Sequence, residues 1–194
     1  MVTTTLSGFK DPVHDAQQTF RGLLEAIAHP GQPYTLKSDL TSPAGLTPIC
    51  AAACLSLLDL ETAVWLQPKL PAAVKDWLRF HTGCRFTDNP KAADFAVISD
   101  AFSQPELAAF NWGSAEAPEQ STTLLIQVAD FTSGTAQQLR GAGISGSVSF
   151  APVLPDVFWQ QRPQDGYPQG LDCFLFTQRS VVGLPRTTHA KATY

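Results

Sequence analysis

The chain is 194 residues long, 44% hydrophobic and 15% charged, with a formal net charge of −4. This composition suits a single globular domain with a sizeable core and excludes a disordered chain. With no basic run, it also excludes duplex nucleic acid as a ligand. The low charged fraction leaves apolar surface for a protein partner to cover. Residues 1–10 lack the apolar core of a signal peptide, and no segment is apolar over membrane-span length. A cytoplasmic protein without membrane contact is the expectation.

Residues 9–31 read as one bounded helix. Asp11 suits the N-cap, Pro12 the first helical position, and Asp15 complements the helix dipole. Val13, Ala16, Phe20, Leu23, Leu24 and Ile27 recur at helical spacing and predict the core-facing side. His14, Gln18, Arg21 and Glu25 form a polar stripe, and Pro30 with Gly31 stops the helix. A short strand is predicted over 32–36, an alanine-rich buried helix over 47–58, a strand over 63–67 and a helix over 71–82. A strand over 94–98, a helix over 104–110 and a buried strand over 122–128 follow. The second half reads as a turn at 141–146, a strand near 148–151, a short helix at 155–161 and strands at 171–177 and 181–184. Strands alternating with helices define an α/β layered domain. It is expected to be a single unit over residues 1–194, with flexible tails at 1–8 and 189–194.

Four groups of residues offer chemistry. Arg186, Thr187 and Thr188 place a planar guanidinium beside two hydroxyls, a set suited to a phosphate or phosphonate. Arg186 paired with a carboxylate of a neighbouring element or subunit is the structural alternative. His14 and Arg21 lie two turns apart on one helix, facing a ligand, a partner or solvent. His81 precedes Thr82 and Gly83 at a helix C-terminus, the place of a capping histidine. Ser121, Thr122 and Thr123 precede a strand, where hydroxyls hold phosphate or satisfy loop backbone. Cys50, Cys54, Cys84 and Cys173 include no C-x-x-C pair and read as buried thiols, so no metal is expected. There is no phosphate-binding G-x-x-x-x-G-K-[ST] loop and no G-x-S-x-G nucleophile elbow. None of the lysines (Lys10, Lys37, Lys69, Lys75, Lys91, Lys191) reads as a Schiff-base lysine at a strand end, so no cofactor is expected either.

Six segments carry a family resemblance in collinear order: the helix F-K-D-P-V-H-D-A-Q-Q-T-F-R-G-L-L-E-A-I-A-H-P-G from Phe9, L-L-D-L-E-T from Leu57, W-L-R-F-H-T-G from Trp77, P-E-Q-S-T-T-L from Pro118, G-A-G-I from Gly141 and L-P-R-T-T from Leu184. Together they resemble the H-subunit family of the bacterial carbon–phosphorus lyase complex. The tail after Thr188 matches nothing in that pattern. The resemblance implies a mixed sheet flanked by helices, a variant of the aspartate-aminotransferase-like fold of pyridoxal-phosphate enzymes without the cofactor. It implies a role in phosphonate catabolism: a complex in which ATP and methylphosphonate give ribose 1-methylphosphonate 5-triphosphate with release of adenine. It further implies a homodimer that joins G, I and J subunits, with phosphonate or ATP at a shared site. No catalytic residue is expected in this chain. Rival readings are a small-molecule binding module and a stand-alone enzyme that kept pyridoxal phosphate.

Overall fold

The computed structural model describes residues 6–162 and 166–193. In chain order it contains α1 (Pro12–Ala28), β1 (Tyr34–Thr35), α2 (Pro48–Leu57), β2 (Ala63–Leu66), α3 (Ala72–Thr82), β3 (Arg85–Phe86), β4 (Phe95–Ile98) and β5 (Thr123–Gln127). There follow β6 (Gln137–Arg140), β7 (Val148–Phe150), α4 (Asp156–Gln161), β8 (Asp172–Phe176), β9 (Ser180–Leu184) and β10 (His189–Ala192). Seven strands form a mixed sheet in the order β1-β9-β8-β5-β4-β2-β3. Strands β3, β2, β4, β5 and β8 run parallel, and β9 is antiparallel to both of its neighbours.

The central strands are near-continuous apolar runs because both faces of the sheet are covered. Val97, Leu125, Phe174 and Phe176 point into a core shared with α1, α2 and α3, alongside Leu23, Ile49 and Trp77. Their alternating neighbours Ala96, Ile98, Leu124, Ile126 and Leu175 point the other way, into a second core with Phe110, Leu139, Phe158 and Trp159. That opposite face is closed by 3-10 turns, α4 and a small antiparallel sheet in the order β10-β6-β7. Among the described residues no helix is long and apolar enough to cross a membrane.

Helix α1 starts as the sequence dictates, with the Asp11 carboxylate accepting the His14 N–H. Its core-facing side matches the predicted one only in part: Leu23 is buried and Ile27 packs against the core, but the face is rotated. Thr19, Gly22, Leu23 and Ala26 are buried, whereas Val13, Phe20 and Leu24 are 76%, 46% and 50% exposed. Glycine packing is the reason. A Cβ on Gly22 would collide with Leu36, and a Cβ on Gly183 of β9 would meet the Ala26 oxygen at 2.5 Å. Helix and sheet approach through small residues, which rotates the larger apolar side chains outward.

Two further expectations are corrected. Residues 104–110 form no α-helix: 3-10 turns at Ala101–Ser103 and Leu107–Ala109 flank Pro105, which lacks the N–H a continuous helix needs. The C-terminal tail expected from residue 189 begins as strand β10, registered from His189 opposite Arg140 to Ala192 opposite Gln137. A short polar strand on an edge carries no apolar run to betray it. Of the N-terminal tail, residues 1–5 lie outside the described residues, while Leu6 is anchored through its carbonyl.

Candidate functional site

Arg186 follows β9 and is the most heavily engaged side chain of the predicted set. Its Nη2 donates to Asp172 Oδ2 and to Ser121 Oγ, both at 2.6 Å. Nε reaches the same carboxylate at 3.2 Å, and the Arg186 backbone N–H donates to Asp172 Oδ1 at 2.7 Å. Nη1 donates to the carbonyls of Pro118 at 2.6 Å and Pro168 at 3.3 Å. Every nitrogen of the guanidinium thus has a partner within the chain. This is the carboxylate-pairing alternative, and it leaves the fork that a phosphonate would need already occupied. Thr187 is half-buried; Thr188 is buried, and its Oγ1 has no hydrogen-bond partner.

The remaining predicted residues do not join Arg186. His14 is exposed and its Nδ1 lies 2.8 Å from Asp11 Oδ2, within its own helix cap. Arg21 is exposed on the outer side of α1. His81 Nε2 and Trp77 Nε1 meet the Leu6 carbonyl at 2.9 and 3.0 Å. Gly83 takes the left-handed cap of α3, at φ 71°. None of the described clefts is lined by more than one of His14, Arg21, His81, Arg186, Thr187 and Thr188.

The six signature segments instead meet one another, in two groups. In the first, Arg186 of L-P-R-T-T binds Pro118 and Ser121 of P-E-Q-S-T-T-L. The G-A-G-I turn is wedged beside them: a Cβ on Gly141 would strike the Thr187 carbonyl, and one on Gly143 the Ala28 carbonyl at the end of α1. In the second, Leu60 of L-L-D-L-E-T packs on Gly83 of W-L-R-F-H-T-G. Asp59 and Thr62 close their turn reciprocally, Asp59 Oδ1 accepting the Thr62 N–H while Thr62 Oγ1 accepts the Asp59 N–H. Thr122 likewise donates to the Ala93 carbonyl at 2.7 Å and accepts the Asn111 N–H. Thr122 thereby satisfies buried backbone groups that would otherwise be orphaned, while Asp59 and Thr62 close an exposed turn.

The strand ends hold two residues that the sequence reading passed over. The chain reverses its lateral direction between β2 and β4, since β3 lies on one side of β2 and β4 on the other. Such a switch point is where open α/β sheets ordinarily bind ligands. Here Gln67, 2% exposed, fills it. Its Oε1 accepts the N–H groups of Ser99 and Asp100 and the Ser99 hydroxyl, and its Nε2 donates to the Asp100 carbonyl, all at 2.9–3.1 Å. One strand further on, Gln127 accepts the Thr47 N–H at 2.5 Å and donates to the Gly45 carbonyl at 2.8 Å, fixing the start of α2. The signal was present in both places: a glutamine ending an apolar strand that is buried on both sides. Beyond these two amides a cleft of about 490 Å³ opens along the ends of β4 and β5, walled by Thr47, Ser99, Asp100, Phe102 and Gln178.

Fold and site together define an α/β protein whose signature side chains hold its own scaffold together. Comparison with known proteins gives the family. Residues 7–191 match the family described as bacterial phosphonate metabolism protein (PhnH). The chain is similar to the alpha-D-ribose 1-methylphosphonate 5-triphosphate synthase subunit PhnH of Rhizobium meliloti (strain 1021), 37% identical over 185 residues, covering 93% of this chain and 92% of that protein. It is also similar to a candidate C-P lyase subunit protein, HtxG, of Stutzerimonas stutzeri, 33% identical over 177 residues, covering 89% and 84% of the two chains. This chain belongs to the PhnH family.

Proposed function

We propose that the chain is a structural, non-catalytic subunit of a carbon–phosphorus lyase core complex in phosphonate catabolism. It supports formation of ribose 1-methylphosphonate 5-triphosphate from ATP and methylphosphonate, with release of adenine. The observation that carries this reading is the internal use of the signature side chains, Arg186 above all. A family signature made of scaffold contacts suits a subunit that keeps one shape for its neighbours. The PhnH relative is named as a synthase subunit, which supports the same assembly.

In this reading the chain is one domain that acts in the cytoplasm, pairs with a second copy and joins G, I and J subunits. The outward Val13, Phe20 and Leu24 of α1 support the pairing, with His14 and Arg21 beside them as polar contacts. Arg186 and His81 serve as internal anchors, and Thr187 and the buried Thr188 lie in the segment that Arg186 holds. The seven-stranded mixed sheet between two covering layers supports descent from the pyridoxal-phosphate transferase fold. Co-purification with G, I and J subunits, and adenine release measured with the chain alone and with its partners, test the proposal. Turnover by the chain alone overturns it.

A further inference from the structure

The cleft at the ends of β4 and β5 belongs to none of the signature contacts. Its mouth is marked by Phe102, which is 66% exposed. This ring follows Asp100 on the 3-10 turn that caps β4. A second cleft, also about 490 Å³, continues on the far side, and Phe102 and Val153 line both. The ring is therefore a ridge between two hollows. Asp100 places it: Oδ1 accepts the Phe102 N–H at 3.0 Å and Oδ2 the Ser103 hydroxyl at 2.6 Å. Each carboxylate oxygen keeps a further lone pair for a donor from outside.

The charge of the walls excludes one ligand class and admits another. Among the described residues, Asp100 is the single charged residue lining the first cleft, and Asp156 the single one lining the second. Lys69 stands outside the walls, its Nζ on the Ser103 hydroxyl at 3.1 Å. The Asp100 carboxyl is held below the usual carboxylate range, chiefly by the Ser103 hydroxyl, with the Phe102 N–H and the nearby Lys69 charge adding to it against the opposing effect of burial. An anion such as phosphate, phosphonate or a triphosphate meets a carboxylate in the wall itself, while the nearby Lys69 is held on Ser103 outside it. A flat, uncharged ring carrying N–H groups meets an aromatic face to stack on and an acceptor at its edge. A pocket of this size, at the carboxyl ends of parallel strands, suits such a ligand.

We propose that this cleft is a binding site for an uncharged nitrogen heteroaromatic, a free nucleobase or nucleoside, stacked on Phe102 and hydrogen-bonded to Asp100. The site is independent of the subunit role and of the Arg186 anchor. It distinguishes the base from its phosphorylated forms, because each phosphate adds repulsion from Asp100.

Calorimetric titration of the full-length chain with adenine, adenosine and ATP tests this. Adenine and adenosine bind saturably, and ATP binds more weakly than adenosine. Phe102→Ala weakens adenosine about tenfold or more, the scale of one lost base–aromatic stack. Phe102→Leu, which keeps apolar bulk, weakens it nearly as much. Asp100→Asn weakens binding while narrowing the gap between adenosine and ATP. Phe102 is a surface residue, so its variants fold, which a thermal melt verifies. No saturable binding of either neutral ligand at millimolar concentration overturns the proposal. So does an affinity unchanged in Phe102→Ala, or ATP binding more tightly than adenosine.

Discussion

Arg186 and Asp172 are joined twice, once side chain to side chain and once through the Arg186 backbone N–H to the same carboxylate. The pair fixes the chain leaving β9 against the start of β8, and the guanidinium then reaches across to the loop before β5. With side chains 14% and 27% exposed, both partners are largely shielded from water.

Arg186→Ala is expected to lower stability by about 2–4 kcal/mol, because it strips Asp172 Oδ2 and two carbonyls of their side-chain donor at once. Arg186→Lys keeps the charge but not the fork, and falls in between. Chemical denaturation of the purified variants measures both. Wild-type stability in Arg186→Ala would return the residue to a ligand-binding role.

Gln67→Leu keeps the volume but abandons four hydrogen bonds in a site closed to water. A loss of about 3 kcal/mol is expected. Equilibrium unfolding reads the loss, and a change under about 1 kcal/mol would mean that solvent reaches the switch point.

Gly143 and Gly146 separate steric from conformational requirements. Both have positive φ, 81° and 76°, but only Gly143 is walled in; nothing lies within 4 Å of a Cβ on Gly146. Gly146→Ala is expected to cost about 1 kcal/mol. Gly143→Ala costs more, since the helix end must move. Equal melting-temperature shifts would contradict the wedge described at Ala28.

Asp130 and Cys173 titrate well away from their ordinary values. Asp130 accepts from the Ser133 hydroxyl first and from backbone N–H groups of Thr132 and Ser133, which brings its pKa from 3.8 to about 2. A depressed carboxylate stabilises the fold above the unfolded value, and that contribution disappears as pH falls from about 3.8 toward 2. Cys173 is displaced the other way, from 9.0 to about 11, by burial against the opposing effect of Arg162. Its contribution is intact below pH 9.0 and is lost as pH rises toward 11. Carbon-13 titration of Asp130 should give a midpoint near 2. An aromatic disulfide reagent should leave all four buried cysteines unmodified until the chain unfolds.

Phe20→Glu on the outer side of α1 should leave the melting temperature within a degree or so and abolish self-association, read by sedimentation at micromolar concentration. A dimer that survives Phe20→Glu and Leu24→Glu together would move the contact elsewhere.

The sequence reading recovered what is local. Asp11 and Pro12 announce a helix start by their own chemistry, and the runs A-V-W-L, F-A-V-I and T-L-L-I announce buried strands. It missed what depends on a distant partner. The face of α1 was right at Leu23 and Ile27 but wrong at Phe20 and Leu24, because hydrophobicity counts those side chains and cannot see that Gly22 and Gly183 admit a close approach. Strands β3, β6 and β10 are short and polar, and they exist only because a neighbour pairs with them. Arg186 was noticed for its chemistry, but Asp172 lies 14 residues away along the chain and nothing in the sequence ties the two together. Gln67 was invisible as a site because its role is to close one.

That closure bears on the history of the fold as well as on its stability. An amide that serves four polar groups at once has no single-step substitute. Leucine leaves them bare, and glutamate puts a charge among them while losing the donor to the Asp100 carbonyl. A variant of this chain that took a ligand at the crevice between β2 and β4 would have to change Gln67, Ser99 and the Asp100 turn together. Each single change along the way costs stability before any ligand can repay it. Gln67 therefore works as a one-way valve, steering any later innovation in this lineage toward the outer rim, where Phe102 stands, and away from the crevice.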